Sequence, residues 1–170
     1  SGSGGNINVV SAYRSPETNA MLRRRSRAVA KSSQHMQGNA LDFYIPGQSM
    51  GQVREVAMRM QRGGVGYYPT ANTPFVHLDV GSVRSWPRMG RDQLARLFPD
   101  GKTVHLPAGG GTMPGYDLAY AEIVARGGSV GGHAGDESEE SVGGGGGFFA
   151  LLFGGGRGGV LRRNVHGRDF

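Results

Sequence analysis

Two histidines and one aspartate are spaced in a way that predicts a divalent-metal site. His35 and Asp42 lie in the stretch Ser-Gln-His-Met-Gln-Gly-Asn-Ala-Leu-Asp at residues 33–42, and His77 follows 35 residues after Asp42 in His-Leu-Asp. Two imidazoles and one carboxylate are a ligand set of catalytic zinc sites, in which a fourth position stays open for water. The residue types therefore indicate metal-assisted hydrolysis.

Strand alternation gives these side chains a common face. Residues 40–45 and 75–80 are rich in β-branched and aromatic residues and are bounded by Gly or Pro, which favours two short strands. Successive side chains of a strand point to opposite faces, so Asp42 lies opposite Leu41, Phe43 and Ile45, and His77 lies opposite Val76, Leu78 and Val80. His35 precedes the first strand on a loop that Gly38 allows to bend tightly. Spacing alone leaves a second interpretation open, because His and Asp are also ordinary polar residues of a soluble chain.

The wider pattern resembles a known superfamily of zinc peptidases. Ser33, His35, Gly38, Ala40 and Asp42 match Ser-x-His-x-x-Gly-x-Ala-x-Asp, the motif of lysostaphin-type peptidases, D-Ala-D-Ala metallopeptidases and the hedgehog signalling domain. Four further segments, at residues 11–16, 64–69, 75–79 and 83–87, narrow the resemblance to bacterial murein endopeptidases similar to MepK. The resemblance covers about residues 6–90.

This resemblance implies a fold and an activity. The expected fold is a small α+β domain with a central antiparallel sheet, helices packed on one side and a zinc site on the other. The expected activity is hydrolysis of peptide cross-links in peptidoglycan, with one Zn²⁺ on His35, Asp42 and His77, and with the stem peptides as partners in the periplasm or cell envelope. Arg14 matches the arginine that contacts the substrate near the scissile carbonyl. The expected substrate-binding residues are Arg14, Ser33, Tyr67, Tyr68, Arg84 and Trp86.

The chain departs from many relatives at the position of the catalytic base. Where they carry His-x-His or Glu-x-x-His before the last ligand, this sequence has Phe75 and Pro74, neither of which accepts a proton. Asp79, on the same strand face as His77, is the nearest carboxylate and is the predicted catalytic base. An equally open alternative is that Asp79 only orients His77 or Arg84. Tyr67 or Tyr68 adds a hydroxyl donor, although alternation lets only one of them face the cleft.

The remaining segments suggest one domain and a tail. A strand is expected at residues 6–13, and helices at 15–29, 49–62, 91–98 and 116–126. His105 is expected in a turn or edge strand outside the site. Gly makes up 15 of the 33 residues from 127 to 159, too many for a packed core, so residues 6–126 are the predicted domain and 127–170 a disordered tail. Within that tail, residues 148–153, Phe-Phe-Ala-Leu-Leu-Phe, are long enough to occupy a partner's groove or to aggregate.

Composition narrows the class of protein further. The absence of cysteine excludes disulfides and thiolate metal sites, so a zinc ion must use His and carboxylate ligands. No apolar run approaches the ~20 residues of a membrane span. No signal peptide is recognised, and the start Ser-Gly-Ser-Gly-Gly suggests a fragment. The oligomeric state is open, with a monomer expected.

Charge supports the peptide substrate and raises two rival functions. Residues 1–126 carry 15 Lys and Arg against 8 Asp and Glu, a field that concentrates the carboxylates of stem peptides. The same field attracts nucleic acid, and residues 23–27 form an Arg-rich cluster, but this alternative leaves the His and Asp residues unexplained. The other rival is a zinc-containing cell-wall-binding module that has lost its base.

Overall fold

The computed structural model describes residues 5–25 and 29–131, which form five strands and four α-helices. The strands are β1 (Asn8–Ser11), β2 (Ala40–Tyr44), β3 (Gly64–Tyr68), β4 (Phe75–Asp79) and β5 (Arg84–Trp86). The helices are α1 (Pro16–Arg25), α2 (Met50–Met60), α3 (Arg91–Leu97) and α4 (Tyr116–Ala125), and a 3₁₀ turn spans Gln34–Gln37. The predicted α+β class is confirmed.

The sheet is mixed, which corrects the prediction of a purely antiparallel sheet. The strand order is β1-β2-β4-β3-β5, and every neighbouring pair is antiparallel except β3 with β5. Because β3 and β4 are antiparallel, the last residue of β4 lies beside the first residue of β3, at the same end of the sheet. The chain turns there and enters β5 on the far side of β3, so β5 must run in the direction of β3.

Serine residues begin two of the helices, as the sequence predicts. The Ser15 hydroxyl accepts a hydrogen bond from the Thr18 backbone N–H at 3.2 Å, and the Ser49 hydroxyl accepts one from Gln52 at 3.4 Å. These bonds satisfy backbone donors that have no partner within the helix. Helix α2 ends where Gln61 adopts a left-handed conformation with φ of 46°. The chain then enters β3 directly.

Helix α2 covers one face of the sheet with apolar side chains. Phe43 and Val76, which alternate with Asp42 and His77 along their strands, are buried against Met50 of α2. Farther along the same helix, a second buried cluster joins α2 and β3 to α3. The face that bears Asp42 and His77 is therefore free of this helix, as the alternation predicts.

The packed part of the chain extends past Arg126. Val130 forms a parallel bridge with Val83 and packs on a cluster that includes Val104 and Ile123. A domain boundary at Arg126 would remove these contacts. The rest of the predicted tail, including the apolar residues 148–153, lies outside the described residues.

None of the helices described in residues 5–25 and 29–131 combines the length and the apolar character needed to cross a bilayer.

Candidate metal centre

The site is built on the central strand pair and the turn that precedes it. Asp42 of β2 lies directly opposite His77 of β4 in the antiparallel register, so both side chains rise from the same face. His35 is in the 3₁₀ turn just before β2. Gly38 ends that turn with φ of 71°, a left-handed conformation that a side chain disfavours. The chain thus folds back and brings His35 over the strand pair.

The three predicted metal ligands converge in a buried cluster. Asp42 Oδ1 lies 2.8 Å from His77 Nδ1 and 3.2 Å from His35 Nε2, and the two imidazole nitrogens are 3.1 Å apart. The ligand atoms of a tetrahedral zinc ion with bonds of about 2.0–2.1 Å lie roughly 3.3 Å apart. The cluster therefore has nearly the dimensions that a small cation requires, and it is the His and Asp group among the described residues that could hold one.

In each histidine, the ring nitrogen that points away from Asp42, here called the outer nitrogen, contacts a hydrogen-bond acceptor. This contact determines which ring nitrogen carries the proton. His35 Nδ1 is 2.6 Å from the Ala12 carbonyl, which can only accept a hydrogen bond. His77 Nε2 is 2.9 Å from the carboxylate of Asp79. With each outer nitrogen donating its proton, His35 Nε2 and His77 Nδ1 both present lone pairs to Asp42. Three acceptors then face one another, an arrangement that a cation stabilises.

Asp42 is an ionised carboxylate in this cluster. Burial acts to raise the pKa of Asp42, but the hydrogen bonds and charge that His35 and His77 supply when a proton, in place of a cation, lies between them and Asp42 outweigh burial and lower that pKa below its ordinary value. A buried negative charge needs a positive partner. The electrostatics and the geometry of the cluster thus point to the same occupant, a metal cation.

Asp79 lies behind His77, on the side away from Asp42. Its two oxygens accept hydrogen bonds from five N–H groups, which belong to His77, Arg84 (two), Gly64 and Gly81, at 2.9–3.1 Å. Burial acts to raise the pKa of Asp79, but the bonds from His77 and Arg84 lower it well below its ordinary value. A carboxylate held in this way is a weak proton acceptor.

Two glycines of β3 make room for this arrangement. A Cβ atom on Gly64 would lie 2.8 Å from the carboxyl carbon of Asp79, and one on Gly66 would lie 2.7 Å from the Trp86 ring. The Trp86 ring contacts both the imidazole of His77, with centroids 5.1 Å apart, and the guanidinium of Arg84, whose central carbon lies 5.0 Å from the ring centroid. The Gly-x-Gly pattern at residues 64–66, at the start of β3, is the sequence signal for this close approach.

The predicted substrate-binding residues fall into two groups. Ser33, Arg84 and Trp86 surround His77 and line a small cavity of about 20 Å³. The Ser33 hydroxyl also accepts a hydrogen bond from the His35 backbone N–H at 3.3 Å. Tyr67, in contrast, faces α2, where the Arg54 guanidinium lies 5.3 Å from its ring.

Tyr68 is the tyrosine on the metal-site face. Its hydroxyl accepts a hydrogen bond from Trp86 Nε1 at 3.0 Å, and its ring stacks on Phe75. The two tyrosines thus occupy opposite faces, as alternation requires.

Arg14 is buried beside His35. Its backbone N–H donates to the His35 carbonyl at 3.0 Å, and its guanidinium donates to the Asn19 side chain at 3.2 Å. Asn19 of α1 in turn donates to the Ala30 carbonyl. Sequence reasoning found Arg14 but missed Asn19 and the Ala12 carbonyl, because a contact with a backbone oxygen leaves no mark in the residue types.

Comparisons with known proteins match the N-terminal half of the chain to one family. The profile of the family described as "Peptidoglycan L,D-endopeptidase MepK" matches residues 1–86. The chain is 52% identical over 80 residues to the probable peptidoglycan L,D-endopeptidase MepK of Haemophilus influenzae. This match covers 47% of this chain and 42% of that protein. It is 50% identical over 80 residues to the peptidoglycan L,D-endopeptidase MepK of Escherichia coli K12. This match covers 47% of this chain and 43% of that protein.

The matched region limits what these relatives imply. It spans less than half the length of either relative. No solved structure matches the chain. The family profile, which matches residues 1–86, does include every member of the His and Asp cluster and its outer partners.

Proposed function

Because the chain belongs to the family of the peptidoglycan L,D-endopeptidase MepK, whose profile matches half of its length, we propose that it is a zinc-dependent hydrolase of peptide cross-links in peptidoglycan. Its partners are then the stem peptides of the cell wall. Activity on that polymer places the protein in the periplasm or at the cell envelope.

One observation carries the metal part of this proposal. Two imidazole lone pairs and one carboxylate oxygen converge at 2.8–3.2 Å, with the protons of both imidazoles engaged on the outer side. Neutral His and ionised carboxylate are the forms that bind zinc. His35, Asp42 and His77 would therefore hold the ion, and a bound zinc would polarise the scissile carbonyl and lower the pKa of water.

We assign Asp79 to positioning rather than to proton transfer. Its carboxylate fixes the tautomer and ring orientation of His77 and lies on the side of that imidazole opposite Asp42. Arg84 holds both oxygens of Asp79 and stacks on Trp86, so His77, Asp79 and Arg84 form one connected support. This role is the alternative that the sequence left open for Asp79.

Arg14 is the residue proposed to meet the negative charge of the substrate. Its backbone bond to His35 ties the guanidinium-bearing residue to a metal ligand, and Asn19 restrains the guanidinium itself. A restrained positive charge favours an oxyanion in the transition state because little reorganisation is needed when the charge develops.

Digestion of purified sacculi tests the proposed activity. The full chain, loaded with zinc, is incubated with sacculi, and the released muropeptides are identified by mass spectrometry. The wild-type protein is expected to reduce the amount of cross-linked muropeptides. The His77→Ala variant is expected to leave that amount unchanged. The bond that is cut, a 3-3 or a 4-3 bridge, is identified in the same spectra, as is any carboxypeptidase product. Intact cross-links with wild-type protein would contradict the proposal.

A second function is favoured by the state of Asp79. With its carboxylate engaged by five N–H groups and with Phe75 in place of a proton acceptor, the chain would suit a zinc-containing module that binds the cell wall without cutting it. In the experiment above, sedimentation of the protein with sacculi but without cleavage would support this function instead.

A further inference from the structure

The face of the sheet opposite the metal site carries an apolar groove that α2 leaves uncovered. The groove has a volume of about 670 Å³ and lies at the end of the sheet where β2 and β3 begin and β4 ends. Leu41, Val65 and Leu78 line its floor, and the strongly exposed Met60 and Val80 stand at its rim, with 58% and 73% of their surfaces accessible. A volume of this size accommodates several apolar side chains.

We propose that this groove binds residues 148–153 of the same chain, Phe-Phe-Ala-Leu-Leu-Phe. The segment has five large apolar side chains in six positions, and removing such side chains from water is favourable in proportion to the apolar area that is buried. A free hexapeptide of this kind is also prone to self-association, which docking in the groove would prevent.

The last described residues place the start of the connecting chain close to the groove. The Gly131 N–H donates to the Val83 carbonyl at 3.1 Å, and Val83 immediately precedes β5. The first residue of β5 pairs with Gly64, which lines the groove. Because neighbouring strands are about 4.8 Å apart, the bridge at Val83 brings the chain end within roughly 10 Å of that wall.

The length of the connection allows the segment to reach the groove. Sixteen residues separate Gly131 from the segment, and even a partly extended chain of this length exceeds the distance, since a fully extended chain covers about 3.3–3.6 Å per residue. Covalent connection also raises the effective concentration of the segment to the millimolar range. A weak apolar contact is then sufficient for occupancy.

Charge favours the same occupant. The connecting residues carry four acids, at positions 136, 137, 139 and 140, whereas the groove is bordered by the exposed Arg62. Residues 1–126 have a net charge of +7. The acidic connection is thus attracted to the surface that it must cross.

Disulfide trapping in the full chain tests the proposal, since the chain has no native cysteine. Met60→Cys at the groove rim is combined with Ala150→Cys in the segment. The control combines Ala150→Cys with Leu118→Cys, a site on α4 that is 63% exposed, outside the groove and nearer to the segment along the sequence. The groove pair is expected to form an intramolecular disulfide at least about ten-fold faster than the control pair.

Non-reducing electrophoresis at several protein concentrations separates the outcomes. Equal rates for the two pairs would overturn the proposal, and so would a groove pair that forms mainly cross-linked dimers, because the occupant would then be a second copy. Adding Val80→Glu at the rim should slow the groove pair to the control rate. Val9→Glu, at a site of 58% exposure outside the groove, should leave the rate unchanged. The readout is independent of zinc and of cleavage.

Discussion

Two regions of the molecule bury histidine in different ways. On the metal-site face, His35 and His77 donate their outer protons to a carbonyl and a carboxylate and turn their lone pairs toward Asp42. Behind α2, His105 Nε2 is 3.1 Å from the Met58 carbonyl, but its Nδ1 has no hydrogen-bond partner among the described residues. Burial and a carbonyl contact are common to both regions. Convergence on a carboxylate is what distinguishes the candidate metal ligands from His105.

Replacement of one histidine in each region gives the largest expected difference. His77→Ala removes one of three ligands and should abolish both zinc binding and cross-link cleavage. His105→Gln keeps an N–H donor for Met58 and should leave both unchanged. Metal analysis of the purified variants decides the matter. Zinc retained by His77→Ala, or lost from His105→Gln, would break the distinction between the two regions.

The carboxylate behind His77 is the next point to test. Asp79→Asn should weaken zinc affinity about 10- to 100-fold, and excess zinc should restore most of the cleavage rate, because the change affects only the support of a ligand. The measurement is muropeptide turnover over a zinc titration, with Asp92→Asn on the exposed surface of α3 as control. A loss of 10²- to 10⁴-fold that persists at saturating zinc would instead identify Asp79 as the proton acceptor.

The buried imidazole of His105 should make the folded protein less stable at acid pH. Burial lowers the pKa of His105 to about 4, the Met58 hydrogen bond opposes this shift, and the charge of Arg54 adds to it. The unfolded chain, with a pKa near 6.5, takes up the proton first. Stability from this residue is therefore complete above pH 6.5 and is lost as the pH falls toward 4, by up to about 3 kcal/mol.

Urea unfolding of the metal-free protein at pH 7 and pH 4.5 measures this loss. The carboxylates of Asp42 and Asp79 also lose stability in acid, so the informative quantity is the difference between wild type and His105→Gln. The variant should show the smaller decrease between the two pH values. Equal decreases would mean that His105 does not bind its proton more weakly in the folded state.

The smallest expected effect is that of Ser33→Ala, which tests how the turn that carries His35 is stabilised. Ser33→Ala removes the hydroxyl that accepts from the His35 backbone and should destabilise the 3₁₀ turn by about 1 kcal/mol. Thermal unfolding measures this change, and Ser32→Ala, at an exposed neighbouring position, is the control. A fall in zinc affinity larger than the fall in stability would show that the turn also sets the position of the imidazole.

The common face of Asp42 and His77 could be predicted from sequence because strand alternation is a rule of period two. Alternation sets Asp42 opposite Leu41 and Phe43 and sets His77 opposite Val76 and Leu78, and the structure has Asp42 and His77 on one face and in one register pair. The register itself was not predictable, since it depends on how residues 45–74 connect the two strands. The parallel pairing of β5 with β3 was not predictable either, since it depends on how the chain connects β4 to β5.

Contacts with backbone atoms mark the other limit of sequence reasoning. The Ala12 carbonyl selects the tautomer of His35, and the Gly64 and Gly81 N–H groups engage Asp79, yet these atoms are the same in every residue type. Val130 lies among Gly-rich neighbours in the predicted tail, and yet it bridges to Val83. Composition averages over a window and so misses a single residue that packs.

The direct pairing of Asp42 with His77 makes metal uptake a test of strand registration. A slip of one residue between β2 and β4 would move one of these ligands to the opposite face and divide the set between two sides of the sheet. Thirty-five residues separate the two ligands in the chain, so an unfolded or misregistered chain cannot assemble the site by local chemistry alone. Only molecules that have completed the central pairing would acquire the ion, and the hydrolytic activity would appear after folding rather than during it.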